Sequence, residues 1–315
     1  MTESRYTPEA LSVDIDPHLF VVFGGTGDLA RSKLLPALYR LLSSRGFSDS
    51  VQLLGVASRD ITDDEYRSLV GAALAAADLA VDEEWLGHSV HFQSLRHGFE
   101  ALGERIREVE EAAGLGGNRA FYLAVPPDVF DETVEGLGKV GVVDGPGWSR
   151  VVVEKPFGVD SSTGMGLNQL LHRWFAEEQI YRIDHYLAKE TVRNLLALRF
   201  ANPIFESSWT RDRISSVQIT VAESGGIGTR ARYYDSAGAV RDIIQNHALQ
   251  IFSLVAMEPP VRASAQYIRD EKVKLLKATA AVTRPDLVRG QYTAGRIEGE
   301  DVAGYRDEEG IPPDS

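Results

Sequence analysis

Apolar residues are distributed along the chain with two different periods, and the change between them divides it into a first and a second half. Leu19–Phe23 is a short unbroken apolar run, as found in a strand buried on both faces of a parallel sheet. A glycine turn follows, and from Lys33 to Leu42 the leucines at 34, 35, 38, 41 and 42 recur at helical spacing and are expected to face inward. The same alternation continues. Val51–Ala57 reads as a second strand, helical patterns at Asp63–Ala76 and Phe99–Ala113 flank a brief strand at Val90–Phe92, Ala120–Val125 reads as a fourth strand, and Val151–Glu154 as a fifth. A further helix is expected through Gly166–Phe175.

This βαβαβ order, opened by a glycine loop, predicts an α/β fold with a Rossmann-type doubly wound parallel sheet, whose ligands bind at the carboxyl ends of the strands. From Arg182 the polar run Arg-Ile-Asp-His-Tyr-Leu-Ala-Lys-Glu passes directly into an apolar, Arg-punctuated segment ending at Asn202, which predicts a helix starting near Leu187. Val217, Ile219 and Val221 then alternate with polar or small residues, the pattern of a half-exposed antiparallel strand ending at Glu223. A helix is expected over Ala239–Met257 with Ile243, Ile244, Leu249, Ile251 and Leu254 inward, another around Asp270–Leu276, and a strand at Val288–Tyr292. The expectation is a dinucleotide-binding domain over residues 1–184 and a truncated α+β domain with an antiparallel sheet over 185–315.

Composition narrows the functions open to such a chain. A length of 315 residues accommodates two domains, and 43% hydrophobic with 25% charged residues is ordinary for a globular protein. A net charge of −13 argues against binding nucleic acid or an anionic membrane surface. A phosphorylated ligand would therefore need a local basic cluster. With no cysteine, disulfides and thiolate chemistry are excluded, as the cytoplasm would allow. The leader Met1–Pro17 lacks the basic and apolar regions of a secretory signal, and no stretch approaches the roughly 20 apolar residues of a membrane span.

Candidate chemistry gathers at strand ends and at the Arg182 run. Gly24, Gly25, Thr26, Gly27, Asp28 and Leu29 form a turn in which bare backbone could approach a pyrophosphate at a helix N-terminus, although the spacing also suits a plain β–α turn. The second strand ends in Ser58-Arg59-Asp60. An arginine there accommodates a 2′-phosphate and an acid favours a free 2′-hydroxyl, so Arg59 points to NADP, while Asp60 and a merely solvated Arg59 leave NAD open. Lys155 follows the fifth strand within Glu-Lys-Pro-Phe-Gly. Asp184, His185, Tyr186 and Lys189 crowd a helix start, an arrangement that suits a phosphate or, equally, a capped helix with solvated side chains. Asp242 and His247 lie five apart and would not share one face of an α-helix.

The wording of these runs resembles the glucose-6-phosphate dehydrogenase family. RIDHYLAKE is similar to that family's RIDHYLGKE, departing only at Ala188, and GDLA at residues 27–30, FYLAVPP at 121–127, EKP at 154–156, RDxxQNHxLQ at 241–250 and EKVKLL at 271–276 follow in the family's order. The resemblance implies oxidation of glucose 6-phosphate at C1, in the pentose phosphate pathway, with hydride passing to NADP or NAD. It implies His247 as general base, Asp184 as its orienting carboxylate, and His185, Tyr186 and Lys189 as phosphate ligands. Glu223 and Asp242 would accept from sugar hydroxyls, and Lys155 would contact both cofactor and sugar. The family's arginine at the ribose aligns more naturally with Ser58 than with Arg59. The family also implies a homodimer or homotetramer, and a chain that continues past residue 315 through most of its antiparallel sheet, including a lysine and an arginine for the sugar phosphate. Their absence is expected to impair turnover. Two other classes fit parts of the pattern: a Gfo/Idh/MocA-like sugar oxidoreductase, which shares EKP but would lead with GxGxxG, and a non-catalytic relative that only binds cofactor.

Overall fold

The computed structural model describes residues 15–45, 50–155, 157–158, 160–223, 225–312 and 314–315. The chain divides between Ile183 and Asp184 into two compact units.

The first unit is built on a six-stranded parallel sheet: β1 His18–Phe23, β2 Val51–Ala57, β3 Val90–Ser94, β4 Arg119–Leu123, β5 Ser149–Val153 and β6 Ile180–Arg182, in the order β3-β2-β1-β4-β5-β6. This is the predicted doubly wound sheet, with the strand order reversing between β1 and β4. Every residue of β2 and β4 is buried, which explains why these strands read as continuous apolar runs without alternation. One face is covered by α1 Leu35–Arg45, α2 Asp63–Ala75 and α3 Glu83–Ser89, with Tyr39, Tyr66, Leu74 and Trp85 in its core. The other face packs under α4 Gly98–Ala113, α5 Phe130–Lys139 and α6 Ser161–Trp174, around Phe121, Leu102, Ile106 and Phe175. Thr62 caps α2 by accepting from the Glu65 N–H while the Glu65 carboxylate accepts from the Thr62 N–H, so the start read at Asp63 is chemically specified. Two expectations needed correction: Leu41, expected inward, is exposed, and α6 begins five residues earlier than Gly166, at an Asp160 cap. A π-helical stretch, Ala30–Leu34, precedes α1, and α3 and β6, each short, carry no clear period and were not foreseen. Pro156 lies outside the described residues.

His91 in β3 is held neutral. Its Nε2–H donates to Gln52 Oε1 at 3.0 Å, and burial, with the Arg105 and Arg67 guanidinium groups acting against nearby Asp63, lowers its pKa to about 4. The unfolded chain takes up this proton near the ordinary imidazole value of about 6.5. Between those pH values the unfolded state binds more protons, so stability conferred at neutral pH is lost as pH falls from about 6.5 through 4. The melting temperature is expected to fall over that window in the parent and to fall less in His91→Gln; parallel curves would rule out this histidine as the cause.

The second unit is largely helical: α7 His185–Ala188, α8 Glu190–Phe200, α9 Pro203–Glu206, α10 Ala231–Ala239, a π-helical run Val240–Ala248, α11 Leu249–Ala256 and α12 Ala265–Ala278. Its core joins Val192 and Phe200 of α8 to Leu254 and Met257, with Ile268 and Leu275 of α12 packed against them. Buried Arg199 donates to the carbonyls of Leu254 and Met257 at 2.6 and 2.9 Å, closing the C-terminal end of α11, and burial lowers its pKa to about 10.

The expected strands at 217–222 and 288–292 do not form. Val217 is exposed, Val288 is 97% exposed, and neither segment has a ladder partner among the described residues. Alternation alone does not make a strand whose backbone groups have nothing to pair with. The antiparallel pair is instead β7 Gly295–Ile297 with β8 Glu300–Val302, turned through Glu298 and Gly299, both at positive φ. Ile244, expected inward, is exposed.

Candidate functional site

In the first unit a groove opens at the carboxyl ends of β1, β2 and β4, at the switch in strand order. It is lined by Gly24, Thr26, Gly27, Asp28, Leu29, Ala57 and Ser58, by Leu95, Arg96 and Phe99 from the end of β3 and the start of α4, and by Ala124, Val125 and Pro126 after β4. The loop is shaped by its own backbone. The N–H groups of Gly24 and Gly25 both donate to Val56 O, at 2.8 and 3.1 Å, and Gly27 N–H donates to Gly24 O at 2.8 Å. Gly24 has φ +77°, and a Cβ there would lie 2.2 Å from Ala124 O. A Cβ on Gly25 would meet the buried Tyr66 hydroxyl at 2.9 Å. Gly27 alone of the three is exposed, its missing Cβ facing the groove mouth with only Gly24 O within 4 Å. Gly24 and Gly25 are thus required by the fold, and Gly27 keeps the approach to the helix start at Asp28–Leu29 open. This cradle fits a dinucleotide pyrophosphate.

The strand-end residues separate. Ser58 lines the groove; Arg59 is exposed and is not among the lining residues. Arg96, which sequence reasoning missed, is the one cation lining it among the described residues. Lys155 follows β5, half-buried, and Glu154 before it accepts a short hydrogen bond from the Tyr122 hydroxyl, whose pKa burial raises.

In the second unit the sequence-predicted residues converge. Asp184 is the N-cap of α7: its Oδ1 accepts from the Tyr186 N–H at 2.9 Å and lies 2.6 Å from His247 Nδ1. A carboxylate oxygen can only accept, so Nδ1 carries the proton and donates. Both residues are buried, and Asp184 Oδ2 is buried without a hydrogen-bond partner among the described residues. The Tyr186 ring stacks on the His247 ring at 4.1 Å, His185 sits edge-on to both, and Lys189 Nζ lies 3.8 Å above the Tyr186 ring. Burial raises the Tyr186 pKa, helped by the charges of Glu223, Asp184 and Asp242. Glu223 itself is exposed. Donor atoms of Asp184, His185 and His247 lie within 4.8 Å of one another, a spacing a metal could exploit, but Asp184 and His247 point at each other in a hydrogen bond.

Asp184 thus caps α7 with the same oxygen that holds His247, the cap that the helix start predicted. The expectation that Asp242 and His247 face apart is corrected. The segment is a π-helix with i→i+5 pairing, so residues five apart lie about one turn along, and both side chains are buried. Two further cations join the cluster, Arg230 without a sequence signal and Lys272 from the EKVKLL run, to which no role was assigned. Arg230 donates to Asp242 Oδ2 at 2.7 Å across 12 residues, and Lys272 of α12 donates to Gln250 Oε1 at 2.9 Å, its pKa lowered by burial against the opposing pull of Asp184.

Comparison with known proteins identifies the relatives of this chain. A family model described as "Glucose-6-phosphate dehydrogenase, NAD binding domain" matches residues 21–194, and one described as "Glucose-6-phosphate dehydrogenase, C-terminal domain" matches residues 196–315. Glucose-6-phosphate 1-dehydrogenase of Bacillus subtilis (strain 168) is 41% identical over 304 residues, covering 94% of this chain and 62% of its own length. Glucose-6-phosphate 1-dehydrogenase 2 of Mycobacterium tuberculosis is 42% identical over 307 residues, covering 94% and 60%. A solved structure of a glucose-6-phosphate dehydrogenase in complex with its substrate glucose-6-phosphate superposes with a TM-score of 0.84 at 34% identity, over 95% of this chain and 63% of that one. The chain spans about six tenths of the length of these relatives. With both family models matched in order and identity above 40% over nearly all of its length, the chain belongs to the glucose-6-phosphate dehydrogenase family.

Proposed function

We propose that the chain oxidises glucose 6-phosphate at C1 to 6-phosphogluconolactone, with NADP as the acceptor in preference to NAD. The observation that carries the reading is the buried Asp184–His247 pair beneath Tyr186. Bound NADP would supply the hydride acceptor. The protein's own task is to orient C1 and take the proton of its hydroxyl. With Nδ1–H donated to Asp184, the tautomer of His247 is fixed with Nε2 as the basic nitrogen, and the carboxylate stabilises the imidazolium that forms. His247 is fully buried, with the rings of Tyr186 and His185 packed against its own.

His185, Tyr186 and Lys189 would hold the phosphate, with Lys189 already drawn over the Tyr186 ring. Asp242, paired with Arg230, and Glu223 would accept from sugar hydroxyls, and Lys155 would contact cofactor and sugar. The reading is tested by following reduced NADP on adding glucose 6-phosphate to this chain; no formation at any substrate concentration would sink it. Lys189→Ala removes a charge-assisted contact worth roughly 1.5–3 kcal/mol. It is therefore expected to raise KM for glucose 6-phosphate about tenfold or more with a smaller change in kcat. Unchanged KM would place the phosphate elsewhere.

A further inference from the structure

We propose that Arg96, rather than Arg59, reads the 2′-phosphate of the adenine dinucleotide, at the end of β2 beside Ser58. The inference rests on the dinucleotide reading of the groove and names the residue that sets its preference. The register of the sheet brings Arg96 there: Ala57 of β2 stands opposite Ser94 of β3, so Ser58 and Leu95 leave the sheet together. Ser94 then turns the chain into the short helical turn Leu95–His97, its hydroxyl accepting from the Arg96 N–H at 3.3 Å. Arg96 Nε donates to Ser58 O at 3.0 Å, which fixes the guanidinium plane against the strand end. Among the described residues its two Nη nitrogens make no hydrogen bond, and together they form the fork that matches a phosphate in two parallel bonds.

The neighbouring groups agree with this assignment. Arg96 carries the one positive charge among the described residues lining the groove, whereas Arg59 is exposed outside it. Asp60, the acid that would favour a free 2′-hydroxyl, lies 3.6 Å from His97 Nε2, drawn toward the β3 end. The exposed Ser58 places a small hydroxyl where a phosphate oxygen could accept from it. A serine at position 58 leaves room for a cation from the next strand.

The test uses the full chain and two probes that differ only at the 2′ position, adenosine 2′,5′-bisphosphate and 5′-AMP, with affinities measured by calorimetry. The parent is expected to bind the bisphosphate about tenfold or more tightly than AMP. Arg96→Met should bring the bisphosphate close to AMP while leaving AMP within about twofold of the parent, and Arg96→Lys should fall between because a point charge replaces the fork. Arg59→Met should behave as the parent. Discrimination that survives Arg96→Met, or disappears in Arg59→Met, overturns the proposal. A parent that binds both probes equally also overturns it, and leaves the dehydrogenase reading standing with NAD as acceptor. A parent that binds neither removes the dinucleotide reading and this proposal with it.

Discussion

His247→Asn is expected to lower kcat for glucose 6-phosphate oxidation by about 10²–10⁴-fold, the usual contribution of a positioned general base, with little change in KM. Asparagine is the informative replacement because its amide N–H can still donate to Asp184 Oδ1, so the buried carboxylate keeps a partner and α7 keeps its cap. What is lost is Nε2, the basic nitrogen of the imidazole. Alanine would instead leave a buried carboxylate without that partner beside a void, and a fall in rate would mix catalysis with unfolding. The measurement is steady-state kinetics on a variant whose thermal transition stays near the parent's. Full activity in His247→Asn would place the base elsewhere, and an equal loss in kcat and affinity would mean that His247 holds substrate rather than its proton.

How far this pair was legible in the sequence depends on which interactions made it. Asp184 could be read as a helix cap because capping is local, reaching only to the Tyr186 N–H two residues on. The bond from His247 to the same oxygen spans 63 residues and has no local period. It entered only through the likeness of two separated runs to one family. The geometry of the second run was misjudged because an α-helical period was assumed for Val240–Ala248. The segment is π-helical, and Gly238 just before it kinks the run at φ +72°. Widening the turn brings both Asp242 and His247 inside, and exposes Ile244, which the α-helical period had placed in the core.

The parallel sheet was readable for the opposite reason. Strands buried on both faces need continuous apolar runs, and β2 and β4 supplied them to within a few residues. Residues 217–221 show where periodicity fails: alternation records which side chains could face a core, and pairing depends on a partner strand that the described residues do not provide. Arg96 was missed for a related reason. Its place beside Ser58 is fixed by the register of β2 against β3, which no local pattern states.

Within the glycine loop, Gly24→Val and Gly27→Val are expected to fail in different ways. Valine at position 24 would hold a β-branched residue at φ +77° and drive its Cβ to 2.2 Å from Ala124 O, a backbone atom at the end of the neighbouring β4. Nothing flexible can yield, because Gly24 N–H is tied to Val56 O and Ala124 N–H to Phe23 O. The two strands at the switch in strand order would have to separate, and a loss of at least about 4 kcal/mol is expected, the range reserved for backbone strain and core disruption. At Gly27 the added carbon meets only Gly24 O, at 3.1 Å, which a shift of a few tenths of an ångström relieves. Its two methyl groups would then project into the groove mouth beside Asp28 and Leu29, where the pyrophosphate must approach bare backbone. Gly27→Val should therefore melt within a few degrees of the parent yet show no measurable NADP binding, whereas Gly24→Val should lose its cooperative thermal transition. A Gly27→Val protein that binds NADP with parental affinity would remove this loop from the cofactor site, and a stable Gly24→Val protein would mean that β1 and β4 can part without cost.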